Sequence, residues 1–116
     1  MSLKEFKIYI EYSKRIRETL SNPLEFLKKV KEDILKILPN AEIYLFGSVS
    51  RGKYTLSSDI DILIVVDNLK GVDVDLVKAK IKKKYIGNPL EIHLINRKIF
   101  KNWYSKFIQK EELIKI

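Results

Sequence analysis

The segment at residues 57–66, SSDIDILIVV, constrains the fold of this chain more than any other part of its sequence. Its second half is an unbroken apolar run, which predicts a β-strand buried on both faces. In its first half Asp59 and Asp61 alternate with Ile60 and Ile62, so both carboxylates project from one face of the strand. The sequence therefore predicts a sheet built around this strand and covered by helices.

The other elements are predicted from hydrophobic periodicity and from Gly, Pro and Asn punctuation. Strands are predicted at residues 41–46 and 90–95, and helices at residues 23–38, 73–85 and from residue 97 onward. Four apolar side chains of the last helix are expected to point into the core: Ile99, Phe100, Trp103 and Phe107. With a turn or short helix between the first two strands, the order predicts a small α/β or α+β domain.

Residues 2–20 are predicted to form a further helix at the N-terminus. Ser2 and Glu5 make an S-x-x-E capping box, and a buried stripe is expected at helical spacing: Tyr9, Tyr12, Ile16 and Leu20. The apolar residues between positions 6 and 12 also alternate as in a strand, but the charged run at 14–18 favours the helix. We expect residues 1–22 to form a helical extension of a domain at residues 23–116.

Composition excludes several classes of protein. A chain of 116 residues and 13.7 kDa is one ordinary domain. The absence of Cys excludes disulfides and a cysteine nucleophile, and a single His excludes a multi-histidine zinc site. There is no apolar run of the ~20 residues that span a membrane and no signal peptide, so a cytoplasmic protein is expected. The net charge of +8 favours a polyanionic partner.

The residues with the clearest chemistry lie between positions 47 and 61. Gly47 and Ser48 follow a predicted strand, where a sharp turn and free N–H groups hold phosphate oxygens, and Arg51 lies about one helical turn further on. The paired carboxylates of Asp59 and Asp61 need a cation, and their oxygens suit Mg²⁺.

Glu91 and His93 share one face of the last predicted strand. If that strand lies beside residues 59–66, Glu91 completes a cluster of three carboxylates. Such a cluster holds two metal ions ~3.5–4 Å apart for phosphoryl transfer. For His93, a partly buried side chain satisfied by a neighbour is favoured over a role in the site.

This pattern resembles a known signature. Gly47-Ser48, ten further residues and then Asp59-Ile60-Asp61 is similar to the motif of the polymerase-β-type nucleotidyltransferase superfamily. The fuller form, GSVSRG with SDID, resembles its minimal nucleotidyltransferases, many of which are antitoxins of α-helical HEPN-domain toxins. The resemblance covers residues 24–96. It implies a small mixed sheet with helices packed mainly on one face.

The resemblance also implies an activity and a set of residues. The activity is Mg²⁺-dependent transfer of a nucleoside monophosphate from a triphosphate, ATP in toxin-paired members, to a hydroxyl such as a tyrosine of the toxin. Gly47 and Ser48 would bind the phosphates, and Asp59 and Asp61 the metal. Glu91 would take the third-carboxylate position, where the superfamily often has Asp. Two further phosphate-binding candidates are Arg51, by our own inference, and Ser58 of the motif.

Two alternatives accompany this prediction. The fold could act as a catalytically idle antitoxin that blocks its partner by contact alone. It could also bind nucleic acid, since five lysines, Lys78, Lys80, Lys82, Lys83 and Lys84, follow one predicted helix. A solvated helix face is favoured over RNA contact for these lysines. The sequence does not decide between a monomer, a homo-oligomer and a hetero-oligomer.

Overall fold

A computed structural model of the chain describes residues 1–47, 49–50, 59–107 and 113–116, with the backbone alone at 103–107. Its helices are α1 (Leu3–Ser21), α2 (Pro23–Ile37), α3 (Val74–Lys84) and α4 (Arg97–Phe107). Its strands are β1 (Glu42–Phe46), β2 (Ile60–Val66), β3 (Leu90–Asn96) and β4 (Ile114–Lys115). Among these described helices, none has the length and apolarity needed to cross a membrane.

The strands form one sheet in the order β3-β2-β1-β4. β2 runs parallel to β3, and β1 is antiparallel to both β2 and β4, so the sheet is mixed. Every residue of β2 except Asp61 is buried, which confirms the prediction of a central strand covered on both faces. The predicted α/β class is confirmed as well.

The main core lies on the face of the sheet that carries Ile43, Ile62 and Ile92. α2 and α3 cover this face with five buried side chains, Leu27, Val30, Ile34, Val77 and Ile81, and the C-terminal half of α1 adds Ile16 and Leu20. α4 lies on the other face, where Phe100 stacks on Tyr44 with ring centroids 5.3 Å apart. Three of the four described helices therefore share one face, as expected.

Two predicted helix starts are confirmed by their caps, whereas Asn22, at the start of α2, makes no side-chain cap hydrogen bond. The Ser2–Glu5 capping box is present at the start of α1, and Asn96 Oδ1 accepts a hydrogen bond from the Ile99 backbone N–H at the start of α4. The burial predictions were less accurate. Tyr9, Tyr12 and Ile99 were expected to face inward but are about half exposed, because no described part of the fold covers these positions. Trp103 and Phe107 have side chains outside the described set.

Two features of the strands differ from the sequence predictions. β2 begins at Ile60, so Asp59 lies immediately before the strand and not within it. β4 was not predicted, because two residues are too short for a periodic signal. It forms where the edge of β1 offers backbone partners, with Leu45 opposite Ile114 and Tyr44 opposite Lys115.

An ion pair joins β1 to α4, and its contribution to stability can be tested. Glu42 accepts a hydrogen bond from Arg97 Nη2 at 3.0 Å and another from the Tyr44 hydroxyl at 2.5 Å. These contacts lower the pKa of Glu42 from 4.5 to about 2. Since the folded-state pKa is depressed, the stabilisation is complete above pH 4.5 and is lost as the pH falls towards 2.

We expect Glu42→Gln to lower the free energy of unfolding by about 1–2 kcal/mol at pH 7, and the difference from wild type to vanish near pH 2. Urea unfolding across this pH range measures both. Glu25→Gln is the matched control, because Glu25 pairs with Lys28 at 3.5 Å on an exposed helix face and should change stability by less than about 0.5 kcal/mol. A constant difference at all pH values would contradict the assignment.

Candidate active site

The strand register places two predicted site residues, Asp61 and Glu91, side by side at one corner of the sheet. Phe46, the last residue of β1, lies opposite Asp61, and Asp61 lies opposite Glu91 at the start of β3. β2 and β3 are parallel and both begin at this corner, while the antiparallel β1 ends there. The condition placed on Glu91, that its strand neighbours β2, is therefore met. Asp61, Glu91 and His93 share the face of the sheet opposite the main core.

Gly47 turns the chain directly beside Asp61. Its φ is +81°, a conformation that glycine adopts without strain. A Cβ atom at this position would lie 2.7 Å from Asp61 Oδ2, too close for any side chain. The turn is held by a 2.6 Å hydrogen bond from Ser50 Oγ to the carbonyl oxygen of Gly47 and by buried Val49. The glycine therefore lets the backbone approach the carboxylate.

Asp61 carries its negative charge at a cost. Burial is the largest cause that raises its pKa above the ordinary value, and the neighbouring charges of Asp59 and Glu91 raise it further. His93 opposes both effects. A partly buried carboxylate repelled by two others is stabilised by a cation. The site thus has the electrostatics of a cation-binding site.

His93 is the residue that sequence reasoning undervalued. Its Nε2 lies 3.6 Å from Asp61 Oδ1, and its ring packs edge-on against Phe46 with centroids 5.2 Å apart. We favoured a histidine whose ring nitrogen is paired with a neighbouring group. His93 does have such a neighbour, but that neighbour is Asp61, the central carboxylate of the site. The available signal was the position of His93 two residues after Glu91, on the same face of β3.

Glu91 points towards α3 in this structure. Its Oε2 lies 3.5 Å from Lys82 Nζ, and both side chains are about half exposed. Within the described ranges, no three His, Asp or Glu side chains converge closely enough to hold a metal ion as they stand. The three-carboxylate metal site therefore stays a prediction. Its donor set does fit Mg²⁺, since carboxylates supply hard oxygen ligands and the charge of Asp61 needs compensation.

The remaining predicted residues divide into two groups. Asp59 is exposed immediately before β2, close enough to Asp61 to raise its pKa. Ser48, Arg51 and Ser58 lie outside the described residues, so their roles at the phosphates stay predictions.

Two lysines of the Lys-rich helix are engaged in ion pairs. Lys82 pairs with Glu91, and Lys84 lies 2.6 Å from Asp33 of α2. Tyr85 also donates a hydrogen bond to Asp33, and together these contacts lower the pKa of Asp33. These pairs support the interpretation of α3 as a structural helix with a solvated face.

Comparison with known proteins identifies the family to which this chain is similar. Residues 27–116 match the family model described as a nucleotidyltransferase domain. Two proteins of Methanocaldococcus jannaschii, both named as candidate protein adenylyltransferases, are similar to the chain. One is 35% identical and covers 84% of this chain and 97% of its own length. The other is 36% identical and covers 85% and 99%.

A solved structure gives the same result. The crystal structure of a candidate nucleotidyltransferase is 35% identical in sequence and superimposes with a TM-score of 0.63. The match covers 78% of this chain and 97% of that one. The likeness therefore includes nearly the whole of the compared structure.

Proposed function

The chain belongs to the nucleotidyltransferase domain family, and from that premise we propose that it transfers AMP from ATP to a hydroxyl group on a protein. One observation carries the proposal: the Gly47 turn lies directly against Asp61, a carboxylate already destabilised by burial and by two acidic neighbours. Nucleotidyl transfer requires a turn that binds the phosphates next to carboxylates that bind a metal ion.

We assign the metal to Asp59, Asp61 and Glu91. When bound there, Mg²⁺ would neutralise the triphosphate, lower the pKa of the attacking hydroxyl and stabilise the pyrophosphate leaving group. To bind this metal, Glu91 must break its ion pair with Lys82. Both side chains are about half exposed, so they have room to move. His93, with its Nε2 3.6 Å from Asp61 Oδ1, would orient the Asp61 carboxylate.

A protein is the expected acceptor, because the two archaeal relatives are named as candidate protein adenylyltransferases. As the finer proposal, the acceptor is a tyrosine of a HEPN-type toxin, and the modification makes this chain an antitoxin.

Incubation with α-labelled ATP, Mg²⁺ and a co-encoded partner tests the proposal. We expect the partner to become labelled. Labelling should be lost when the acceptor tyrosine of the partner is replaced, and it should not occur without Mg²⁺. Stoichiometric complex formation with no label on any protein would contradict it.

A second function is favoured by one observation. Glu91 is paired with Lys82, and the described carboxylates do not converge as they stand, which suits a catalytically idle antitoxin that acts by contact. The Asp59→Asn, Asp61→Asn double variant separates the two functions. Catalysis predicts that this variant no longer protects cells from the toxin, whereas a contact mechanism predicts full protection.

A further inference from the structure

The N-terminal half of α1 exposes an unusual amount of apolar surface. Six large apolar side chains of this segment are about half exposed or more: Leu3, Phe6, Ile8, Tyr9, Ile10 and Tyr12. Only Ile16 and Leu20, in the C-terminal half of α1, are buried against the rest of the chain. A helix in water with this composition is stabilised when a partner covers it.

The polar residues of α1 show which side stays in solvent. Lys4, Lys7, Glu11 and Lys14 follow one another at spacings of three and four, so they form a single stripe along the helix. Phe6 and Tyr9 lie on the opposite side, in line with the buried Ile16 and Leu20. The apolar face of α1 that packs on the domain at Ile16 and Leu20 therefore continues, exposed to solvent, into the N-terminal half of the helix.

The dimensions of the molecule agree with a projecting helix. Its radius of gyration is 15.6 Å, whereas a compact domain of this length has about 13 Å. The longest axis measures 51 Å against 30 and 21 Å for the others. α1 also lies outside the residues 27–116 that match the family model, and only its C-terminal half contributes to the core.

We propose that the exposed half of α1 (residues 3–12) is a dimerisation surface that packs against α1 of a second copy of this chain in antiparallel orientation. Four of the six side chains lie away from the polar stripe: Phe6, Tyr9, Ile10 and Tyr12. Leu3 and Ile8 border the stripe, because they lie four residues from Lys7 and Lys4. At about 100 Å² for each half-exposed side chain, the four supply roughly 400 Å² per copy. The total of about 800 Å² is typical of a weak dimer that forms only at high protein concentration.

Charge permits a second copy at this surface and sets its direction. Residues 1–12 contain two lysines, Lys4 and Lys7, and two glutamates, Glu5 and Glu11, so their side chains carry no net charge. The chain's +8 therefore resides beyond this segment. An antiparallel pair places the two positive domains at opposite ends and opposes the helix dipoles, whereas a parallel pair places the positive domains side by side.

Sedimentation velocity between about 1 and 200 µM tests the proposal on the full chain. We expect a concentration-dependent dimer, with Phe6→Glu weakening association at least about 30-fold because it buries a charge in the interface. Lys7→Glu is the matched control, since it places the same residue one position away on the polar stripe, and it should keep the dimer. At concentrations where the wild type is monomeric, both variants should keep its thermal midpoint, because neither position lies in the core.

Small-angle scattering tests the orientation. Overlap of about three helical turns predicts a maximum dimension of roughly 80 Å for the antiparallel dimer, and a parallel one stays near the 51 Å of the single chain. A monomer at all concentrations, a dimer retained in Phe6→Glu, or a monomer that co-floats with anionic phospholipid vesicles would each overturn the proposal. The result does not depend on catalytic activity.

Discussion

Asp61→Asn is expected to reduce AMP transfer at least about 1,000-fold while leaving the fold intact or more stable. The activity is lost because the amide removes the central anionic ligand of the proposed metal site. Stability does not fall because burial and two acidic neighbours raise the pKa of Asp61, so its charge opposes folding at neutral pH. Labelled-ATP transfer and thermal unfolding at pH 7 measure the two effects.

The sign of the stability effect distinguishes a functional carboxylate from a structural one. A group whose folded pKa is raised destabilises the folded state once the pH exceeds its unfolded pKa. The stability advantage of the Asp61→Asn variant should therefore shrink as the pH falls towards about 4 and be absent below it. Asp67→Asn is the control at the far end of β2, where the side chain is 77% exposed, and it should keep wild-type transfer. Full activity in Asp61→Asn would remove Asp61 from the mechanism.

Gly47→Ala is expected to lower the free energy of unfolding by about 2–3 kcal/mol and transfer by about 100-fold. Alanine at φ +81° is strained, and its Cβ would lie 2.7 Å from Asp61 Oδ2. The carboxylate must move or the turn must open. Either change misplaces the phosphate turn relative to the proposed metal ligands. Urea unfolding and single-turnover transfer measure the two losses.

Gly71→Ala separates backbone strain from the contact with Asp61. Gly71 also has a positive φ, of +71°, but no atom of the described residues lies within 4 Å of its added Cβ. It should therefore cost only about 1 kcal/mol and leave transfer unchanged. A double-mutant cycle of Gly47→Ala with Asp61→Ala should recover about 1–2 kcal/mol, because the second change removes the opposing oxygen. Additive losses would show that the two residues do not touch in solution.

Much of the site was predictable because its pattern is local. Alternation along a strand has a period of two, so Asp61 and Ile62 had to point to opposite faces once a central strand was predicted. A glycine directly after β1 predicted a turn at Gly47 for the same kind of reason. The helix caps at Ser2 and Asn96 are likewise set by residues three positions apart.

The sequence by itself determined every described helix and the strands β1 to β3, the class of the fold and which side chains share a face of each strand, since these depend on neighbours a few residues apart. Only the tertiary structure decided that β3 lies parallel to β2, that His93 contacts Asp61 and that Lys82 holds Glu91. It also decided that Phe6 and Tyr9, in the N-terminal half of α1, stay about half exposed. These outcomes depend on which distant segments pack together, and no local period in a single sequence encodes that choice.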